Sequence, residues 1–219
     1  MNNRALVFGT VAAAVLAFAI VAYFYIQAIE PSASASAGGP ASDVLERPYS
    51  PSIGPKDAPV TIVEFFDPAC PSCRAFYPFV HRLLAQYPKD LRVVMRYTTY
   101  HKGSEEAVRI LETARHQGVF VPVLEALYGG QAQWADQRAV NLDRAWELAG
   151  AAGLDVAKAK AEQDSSEITQ VLKQDVADGV AAKIDGTPTF FVNGKPLPSF
   201  GSEQLQALVK SEVDAAHKR

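Results

Sequence analysis

The segment Val60-Thr61-Ile62-Val63-Glu64-Phe65-Phe66 is followed, after Asp67-Pro68-Ala69, by Cys70-Pro71-Ser72-Cys73. The first run is apolar at nearly every position, which is typical of a strand covered on both faces. From Pro71 to Tyr87 the apolar residues recur at helical spacing. The sequence therefore predicts a strand, a tight turn that carries a Cys-x-x-Cys pair, and a helix.

This arrangement suits thiol–disulfide chemistry. Cys70 and Cys73 are the only cysteines in the chain. If Cys70 stands at the start of the helix, the free backbone N–H groups and the helix dipole stabilise its thiolate, which is the attacking species in disulfide exchange. Cys73 follows about one helical turn later, within reach of a mixed disulfide. Pro71 and Ser72 form the turn between them, and a proline is tolerated at an early helical position.

Other uses of the cysteine pair are less well supported. A zinc site usually needs four ligands, whereas the nearest histidine, His81, lies eight residues after Cys73 and the chain has no second Cys-x-x-Cys pair. Covalent haem attachment needs a histidine directly after the second cysteine, where Arg74 stands. An inert structural disulfide is an open alternative, although so short a ring gains little from reduced chain entropy. We therefore expect neither a metal nor a cofactor.

The amino-terminal region has the pattern of a membrane anchor. No charged residue occurs from Leu6 to Ile29, a length that can cross a bilayer of about 30 Å. Arg4 precedes the apolar run and Glu30 follows it, which predicts an internal amino terminus and an external carboxyl terminus. A cleavable signal peptide is the alternative, but its apolar part usually has only about 7–15 residues. We favour an anchor over residues 1–30; both alternatives export the rest of the chain.

Composition places one globular domain after this anchor. Residues 31–52 are rich in Ser, Ala, Gly and Pro, which predicts a flexible linker, and residues 53–219 are long enough for one domain. The chain of 219 residues has a formal net charge of −3 and no basic cluster interleaved with aromatic residues. That balance argues against nucleic-acid binding.

The rest of the domain divides into a second strand, a helical region and a terminal hairpin with a helix. We predict a strand over Leu91–Tyr97, parallel to the first, because a strand–helix–strand unit of this length implies a right-handed crossover. Residues 104–185 have helical character, with about four helices and Ser104 as the first cap. We expect Trp134 and Trp146 in the core of this region, and His101 and His116 on the surface.

A hairpin and a last helix complete the predicted domain. Thr187–Val192 has the composition of a strand, and Asn193-Gly194 is a strong hairpin-turn signal. Lys195–Leu197 would begin the partner strand. We expect the last helix to begin at Ser202 and to continue almost to the end of the chain.

These elements resemble, in order, the α/β thioredoxin fold with the helical insertion of the DsbA-like thiol:disulfide oxidoreductases. The resemblance covers residues from Gly54 onward. It rests on the segment from Ala58 to Asp67, on the Cys70–Cys73 pair, and on the segment from Gly186 to Gly194. Two separated motifs in the expected order make the resemblance specific.

The resemblance implies a role for five residues. Cys70 corresponds to the exposed nucleophile and Cys73 to the buried resolving cysteine. Pro188 corresponds to the cis-proline that lies against the disulfide and helps to bind an extended substrate, and Thr187 is the variable residue before it. Glu64, which the strand alone leaves open as either a solvent-reaching carboxylate or a proton-handling group, corresponds to the family's buried acid, so we expect it to be functional.

The sequence departs from the strongly oxidising members at the turn, where Pro71-Ser72 replaces Pro-His. Because serine stabilises a thiolate less than histidine can, we expect a potential between about −120 mV for DsbA and about −270 mV for thioredoxin. The isomerase members of the wider group carry an additional dimerisation domain. Since only a short linker stands there, we expect a monomer.

The expected function is that of a membrane-anchored thiol-disulfide oxidoreductase on the periplasmic or outer side of a bacterial cell membrane. It would transfer the Cys70–Cys73 disulfide to reduced or misoxidised secreted proteins and be recycled by a membrane redox partner. A DsbB-like partner would fit an oxidase, and a DsbD-like partner would fit the alternative, a reductase for a cytochrome-maturation or metal-delivery client. A tethered, non-enzymatic chaperone is the third alternative, in which the cysteines would have no role.

Overall fold

The computed structural model describes residues 42–218. The predicted anchor, residues 1–30, and the predicted linker up to residue 41 lie outside the described residues. Within residues 42–218 no helix is both long enough and apolar enough to span a membrane.

A mixed five-stranded sheet forms the centre of the domain, with the strand order β1-β3-β2-β4-β5. The strands are β1 Ser52–Ile53, β2 Val60–Phe66, β3 Leu91–Tyr97, β4 Thr189–Val192 and β5 Lys195–Pro196. β2 and β3 pair in parallel, with Val60 opposite Leu91 and Phe66 opposite Tyr97, as the sequence predicts. β1, β4 and β5 pair antiparallel to their neighbours.

Nine helices are present among residues 42–218. They are α1 Ser42–Leu45, α2 Pro71–Gln86, α3 Ser104–His116, α4 Phe120–Gly129, α5 Gln131–Trp134, α6 Leu142–Ala151, α7 Val156–Glu162, α8 Ser166–Ala181 and α9 Ser202–Ala216. Six of them, α3 to α8, lie between β3 and β4, where we expected about four. The difference arises because short turns divide the region more often than the helical periodicity of the sequence indicates.

The core lies on both faces of the sheet, which explains the apolar sequences of β2 and β3. Every residue of β2 except Thr61 is buried, and the same holds for β3 except Arg92. One large cluster contains the cysteine pair, α2, α9 and the helical region, including Trp134 at 0% and Trp146 at 5% exposure. A smaller cluster on the other face contains Phe65 and Phe191. The prediction that both tryptophans are core residues is confirmed.

The linker prediction is wrong for residues 42–52. Leu45 is buried, β1 pairs with β3, and Arg47 forms an ion pair with Asp178 at 2.7 Å. In addition, both guanidinium nitrogens of Arg92 bind the carboxylate of Glu46 at 2.7 Å. Residues 42–52 contain few large apolar residues, so their composition resembles that of a linker. In the structure, ion pairs and the pairing of β1 with β3 hold this segment against the domain.

Two predicted element boundaries also differ from the structure. α3 has Gly103, with φ 82°, at its N-cap position, so Ser104 is the first helical residue and not the cap. β4 begins at Thr189, two residues after the predicted start, and the Thr187–Pro188 peptide bond before it is cis. α9 begins at Ser202 as predicted, with Gly201 before it.

Candidate active site

Cys70 occupies the N-cap position of α2. Its backbone is extended, with φ −76° and ψ 122°, and Pro71 is the first helical residue. The Cys70 N–H donates to Asp67 O at 3.0 Å, and Cys70 O accepts the first helical hydrogen bond from Arg74 N at 3.2 Å. The turn after β2 therefore directs the Cys70 side chain toward the free N–H groups at the helix start.

The two cysteines differ in their surroundings more than in their exposure. Cys70 is 4% exposed and Cys73 is 0% exposed, so the expectation of an exposed Cys70 is wrong. Pro71 and Ser72, by contrast, are exposed and form the rim of the site. The loop before β4 contributes to the burial of Cys70, because its Thr187 carbonyl contacts the sulfur.

That loop contributes Thr187 and Pro188. The Cys70 thiol donates a hydrogen bond to the Thr187 carbonyl oxygen at 3.4 Å. The Thr187–Pro188 peptide bond is cis, and Thr189 Oγ1 donates to Gly186 O at 2.7 Å, closing the turn on the other side. The structure therefore brings together the two separated motifs that the sequence analysis identified.

The acidity of the two thiols is shifted in opposite directions. The pKa of Cys70 is lowered to about 5, chiefly by the hydrogen bond from the Cys73 thiol, and further by a hydrogen bond with Thr187 and by the backbone N–H groups of Cys73 and Ser72. Burial opposes this shift but does not outweigh it. Burial raises the pKa of Cys73 far above its ordinary value, as do its hydrogen bond to Cys70 and the charge of Glu64. At neutral pH the site thus favours a Cys70 thiolate beside a Cys73 thiol.

Glu64 lies in the middle of β2, opposite Met95 on one side and Phe190 on the other, and is 2% exposed. Burial, and to a smaller extent the negative charge of Cys70, together raise its pKa to about 8. Glu64 therefore does not reach solvent at the strand end. It is a carboxyl group that can hold a proton at neutral pH and that is electrostatically coupled to both cysteines.

Asp67, which the sequence analysis did not identify, organises the loops around the cysteines. Its fully buried carboxylate accepts hydrogen bonds from Ala69 N at 2.8 Å, Tyr100 N at 2.7 Å, His101 N at 3.0 Å, His101 Nδ1 at 2.9 Å and Ser104 Oγ at 2.5 Å. The expected surface position of His101 is thus wrong, because its side chain is only 28% exposed and is paired. An acid directly after a buried strand was the signal in the sequence.

The backbone nitrogen of Asp67 donates to Cys73 Sγ at 3.4 Å. A second residue that the sequence analysis did not identify acts from the helical region: Gln131 Nε2 donates to Pro68 O at 2.9 Å and to Cys70 O at 3.0 Å. Gln131 is 4% exposed. No local pattern marks this glutamine, since its partners lie more than sixty positions earlier in the chain.

His116 also differs from its expected surface position, away from the cysteines. Its side chain is 17% exposed and contacts Glu162 through Nδ1, while Nε2 lies 2.9 Å from a guanidinium nitrogen of Arg115. Within residues 42–218 no group of three or more histidine, cysteine, aspartate or glutamate side chains has the arrangement of a metal site.

Comparison with known proteins agrees with this architecture. Residues 46–211 match a family model described as Thioredoxin. A thioredoxin-like oxidoreductase from Silicibacter pomeroyi DSS-3 is 31% identical, with a TM-score of 0.69 over 82% of this chain and 99% of that one. BdbD from Bacillus subtilis is 24% identical, with a TM-score of 0.69 over 81% and 97%. The catalytic domain of Proteus mirabilis ScsC is 21% identical, with a TM-score of 0.64 over 78% and 94%; the last two likenesses concern the fold alone.

Curated relatives are longer proteins. A protein from Herminiimonas arsenicoxydans named Na(+)/H(+) antiporter NhaA is 35% identical over 77% of this chain and 27% of its own length. A protein of the same name from Salinispora tropica is 32% identical over 76% and 25%. The chain thus spans about a quarter of the curated relatives that it matches. The fold, the match over residues 46–211 and the identity to a solved oxidoreductase together show that this chain belongs to the thioredoxin family.

Proposed function

We propose that this chain is a thiol–disulfide oxidoreductase whose oxidised form transfers the Cys70–Cys73 disulfide to reduced protein thiols. The proposal rests on the opposite pKa shifts of the two thiols: the pKa of Cys70 is lowered to about 5, while that of Cys73 is raised. An inert disulfide or a tethered chaperone would need no such asymmetry.

In the first step a substrate thiolate attacks Cys70 Sγ of the disulfide. A bond forms between the substrate sulfur and Cys70, the Cys70–Cys73 bond breaks, and the electron pair passes to Cys73. Because the surroundings of Cys73 disfavour a thiolate, this sulfur takes up a proton. Glu64 is the buried group that can supply it, since its pKa of about 8 leaves it protonated at neutral pH.

In the second step another substrate thiolate attacks the substrate sulfur of the mixed disulfide. The substrate disulfide forms and Cys70 leaves as a thiolate, which is a good leaving group because of its low pKa. The enzyme has then gained two electrons and holds a Cys70 thiolate and a Cys73 thiol. Thr187, whose carbonyl oxygen contacts Cys70 Sγ, and the cis-Pro188 that follows it are the residues that we propose bind the backbone of an extended substrate.

The low pKa of Cys70 favours oxidation of substrates over their reduction. Stabilisation of the thiolate stabilises the reduced enzyme, so its disulfide becomes a stronger oxidant. The pKa of about 5 for Cys70 lies between the cysteine pKa of about 7 in thioredoxin and that of about 3.5 in DsbA. We therefore infer an oxidase of intermediate strength rather than a reductase.

We further propose that residues 1–30 anchor the protein in the cytoplasmic membrane and that the domain acts on the periplasmic or outer side. The uncharged run from Leu6 to Ile29 and the charges at its ends support this topology. Exported proteins with unpaired cysteines would be the substrates, and a DsbB-like membrane oxidase would reoxidise the monomeric enzyme. Fusion of a periplasm-dependent reporter after residue 219 tests the topology, since it should be active only if the domain is exported.

The central experiment compares the oxidised full chain with its Cys70→Ala variant in the oxidation of a reduced dithiol peptide. Loss of all peptide oxidation in the variant is expected, because no disulfide can form at the site. When Cys73→Ala is given the oxidised peptide instead, the Cys70 thiolate should attack the peptide disulfide, displace one peptide sulfur as a thiol and remain in a mixed disulfide, because no second enzyme thiol can resolve it. Peptide oxidation by Cys70→Ala at the wild-type rate would exclude the proposed function.

A further inference from the structure

We propose that a cation-lined cavity beside the cysteine pair selects substrates that carry a carboxylate close to their reactive cysteine. This inference rests on the proposed function, because it names the class of protein segment that the site prefers. The cavity has a volume of about 290 Å³ and is open to solvent. Its walls include Ala69 and Pro71, the neighbours of Cys70 on either side in the sequence.

One wall carries Arg74, which is exposed in the first turn of α2. Within residues 42–218 its side chain forms no hydrogen bond or ion pair. The first turn of α2 also contains no acidic residue. A cation at the amino end of a helix is unfavourable for the helix dipole, so Arg74 does not stabilise α2. It leaves an unpaired positive charge directly after Cys73.

Arg138 and Asp136 also line the cavity. Arg138 is 91% exposed and lies 3.2 Å from the carboxylate of Asp136. Lys102 contacts the same loop, with Nζ at 3.2 Å from Gln137 O, and is exposed. Three cations therefore surround or adjoin the cavity, and Asp136 is the one anion among its lining residues. The net charge of these four side chains is therefore positive, and it would attract an acidic segment of a substrate.

The floor of the cavity is linked to the reacting sulfur. Gln131 lines it and donates hydrogen bonds to Pro68 O and Cys70 O. Because Gln131 is nearly buried and fixes the backbone on both sides of Ala69, the cavity keeps a constant position relative to Cys70. A substrate held in a mixed disulfide at Cys70 would place residues next to its cysteine within reach of the unpaired Arg74 or of Arg138, whose ion pair with Asp136 is exposed to solvent.

The experiment measures the rate of disulfide transfer from the oxidised full chain to three reduced peptides. The peptides are identical except that glutamate, glutamine or lysine flanks the cysteine. We expect the glutamate peptide to react about tenfold faster than the lysine peptide at low ionic strength, and the ratio to fall toward one in about 1 M salt, where charges are screened over a few ångströms.

Variants test whether the cavity cations cause the preference for the glutamate peptide. Arg74→Gln combined with Arg138→Gln should lower the glutamate-to-lysine ratio to about twofold or less by removing the two cavity cations. The matched control is Lys89→Gln, which removes one exposed cation beyond the far end of α2 and should keep the ratio of the wild type. The ratio is the readout, so a general change of rate in a variant does not affect it.

Two results would overturn the inference while the proposed function stands: equal rates for all three peptides with the wild type, or an unchanged ratio in the double variant. If the wild type oxidises neither the peptides nor dithiothreitol, the proposed function fails and the inference fails with it. Reaction with dithiothreitol together with a salt-sensitive preference for glutamate that is lost in the double variant supports both.

Discussion

Cys70 Sγ lies 3.4 Å from the carbonyl oxygen of Thr187, a residue 117 positions later in the chain. This contact joins the start of α2 to the loop before β4 at a residue that is only 4% exposed. The reactive sulfur is therefore defined by two segments at once. The low pKa of Cys70 results chiefly from the hydrogen bond from Cys73, then from the hydrogen bond with Thr187 and from the backbone N–H groups at the helix start, and these contributions can be separated by experiment.

The pH dependence of Cys70 alkylation should have its midpoint near pH 5 in the reduced full chain. Since the hydrogen bond from Cys73 is the largest cause of the low pKa, Cys73→Ala should move the midpoint to higher pH. Iodoacetamide labelling rates followed by mass spectrometry measure both values. Ser72→Ala is the control, because Ser72 contributes its backbone N–H and should keep the wild-type midpoint. A wild-type midpoint near the ordinary value of about 8.5 would contradict the asymmetric site.

Glu64→Gln should stabilise the reduced fold at pH 7 by up to about 3 kcal/mol. The folded-state pKa of about 8 lies above the unfolded value of 4.5, so the folded state binds the extra proton. The wild type should therefore lose stability as pH rises from about 4.5 to about 8, and the variant should not. Urea unfolding of the reduced protein at pH 5, 7 and 8.5 measures this. Glu203→Gln, an exposed change, should leave the wild-type pH dependence intact.

The same Glu64→Gln variant should form the mixed disulfide with a reduced substrate about 100-fold more slowly, because Cys73 would lack a nearby proton source as it leaves the Cys70–Cys73 disulfide. In the wild type the rate of disulfide transfer at saturating, fully ionised substrate thiol should fall above about pH 8, where Glu64 loses its proton. Rapid-quench kinetics with a dithiol peptide measure both effects. An unchanged rate and pH profile in the variant would remove Glu64 from the mechanism.

Asp67→Asn should destabilise the domain by about 2–4 kcal/mol. The carboxylate accepts five hydrogen bonds from four residues, whereas an asparagine amide has one oxygen and brings an N–H₂ group toward the same donors. Denaturant unfolding measures the loss, with the exposed Asp57→Asn as the matched control. A loss no greater than that of Asp57→Asn would show that the loops hold their positions without Asp67.

Arg96→Met should destabilise the domain by about 3–5 kcal/mol because it leaves buried carboxylates without their cation. Arg96 is fully buried and binds Asp175 at 2.8 Å and Asp178 at 2.6 Å, and it also donates to Val44 O at 2.7 Å. Arg82→Met removes an exposed arginine and should cost less than about 1 kcal/mol. Equal losses in thermal and denaturant unfolding of the two variants would contradict this account.

The ion pairs of Asp178 with Arg47 and Arg96 predict that the domain loses stability at low pH. Burial alone would raise the pKa of Asp178, but hydrogen bonds from Arg47 and Arg96 outweigh it and lower the pKa to about 2. The stabilisation from this ionised group is therefore complete above the unfolded value of 3.8 and is lost as pH falls through about 2. Asp178→Asn should reduce stability at pH 7 and flatten the curve between pH 4 and pH 2, as measured by unfolding at each pH.

Much of the central fold follows from local sequence. The bounds of β2 and β3 and the start of α2 agree with the prediction because uninterrupted apolar runs, a proline at the first helical turn and a strand–helix–strand length leave few alternatives. The hairpin after β4 likewise follows from Asn193-Gly194, both of which have positive φ. These features depend on neighbours within a few positions, which a single sequence displays directly.

Only the tertiary structure decided which distant groups meet at the cysteines. Asp67 joins the turn to the loop at His101 and Ser104, and Gln131 reaches back to Cys70 O. The same holds for residues 42–53, where Arg47 and β1 attach an apparent linker to the sheet. The residues that form hydrogen bonds and ion pairs between distant segments do not recur at a regular spacing, so no local sequence pattern predicts these contacts.

The sequence by itself determined the cysteine pair, the helix that carries it and the strand beneath it. The tertiary structure decided how far Cys70 is covered, how the two thiols differ in acidity and where the cations beside them lie. The physical reason is range: backbone propensity and apolar periodicity act over a few residues, whereas burial and electrostatic shifts sum over every group that folding brings near.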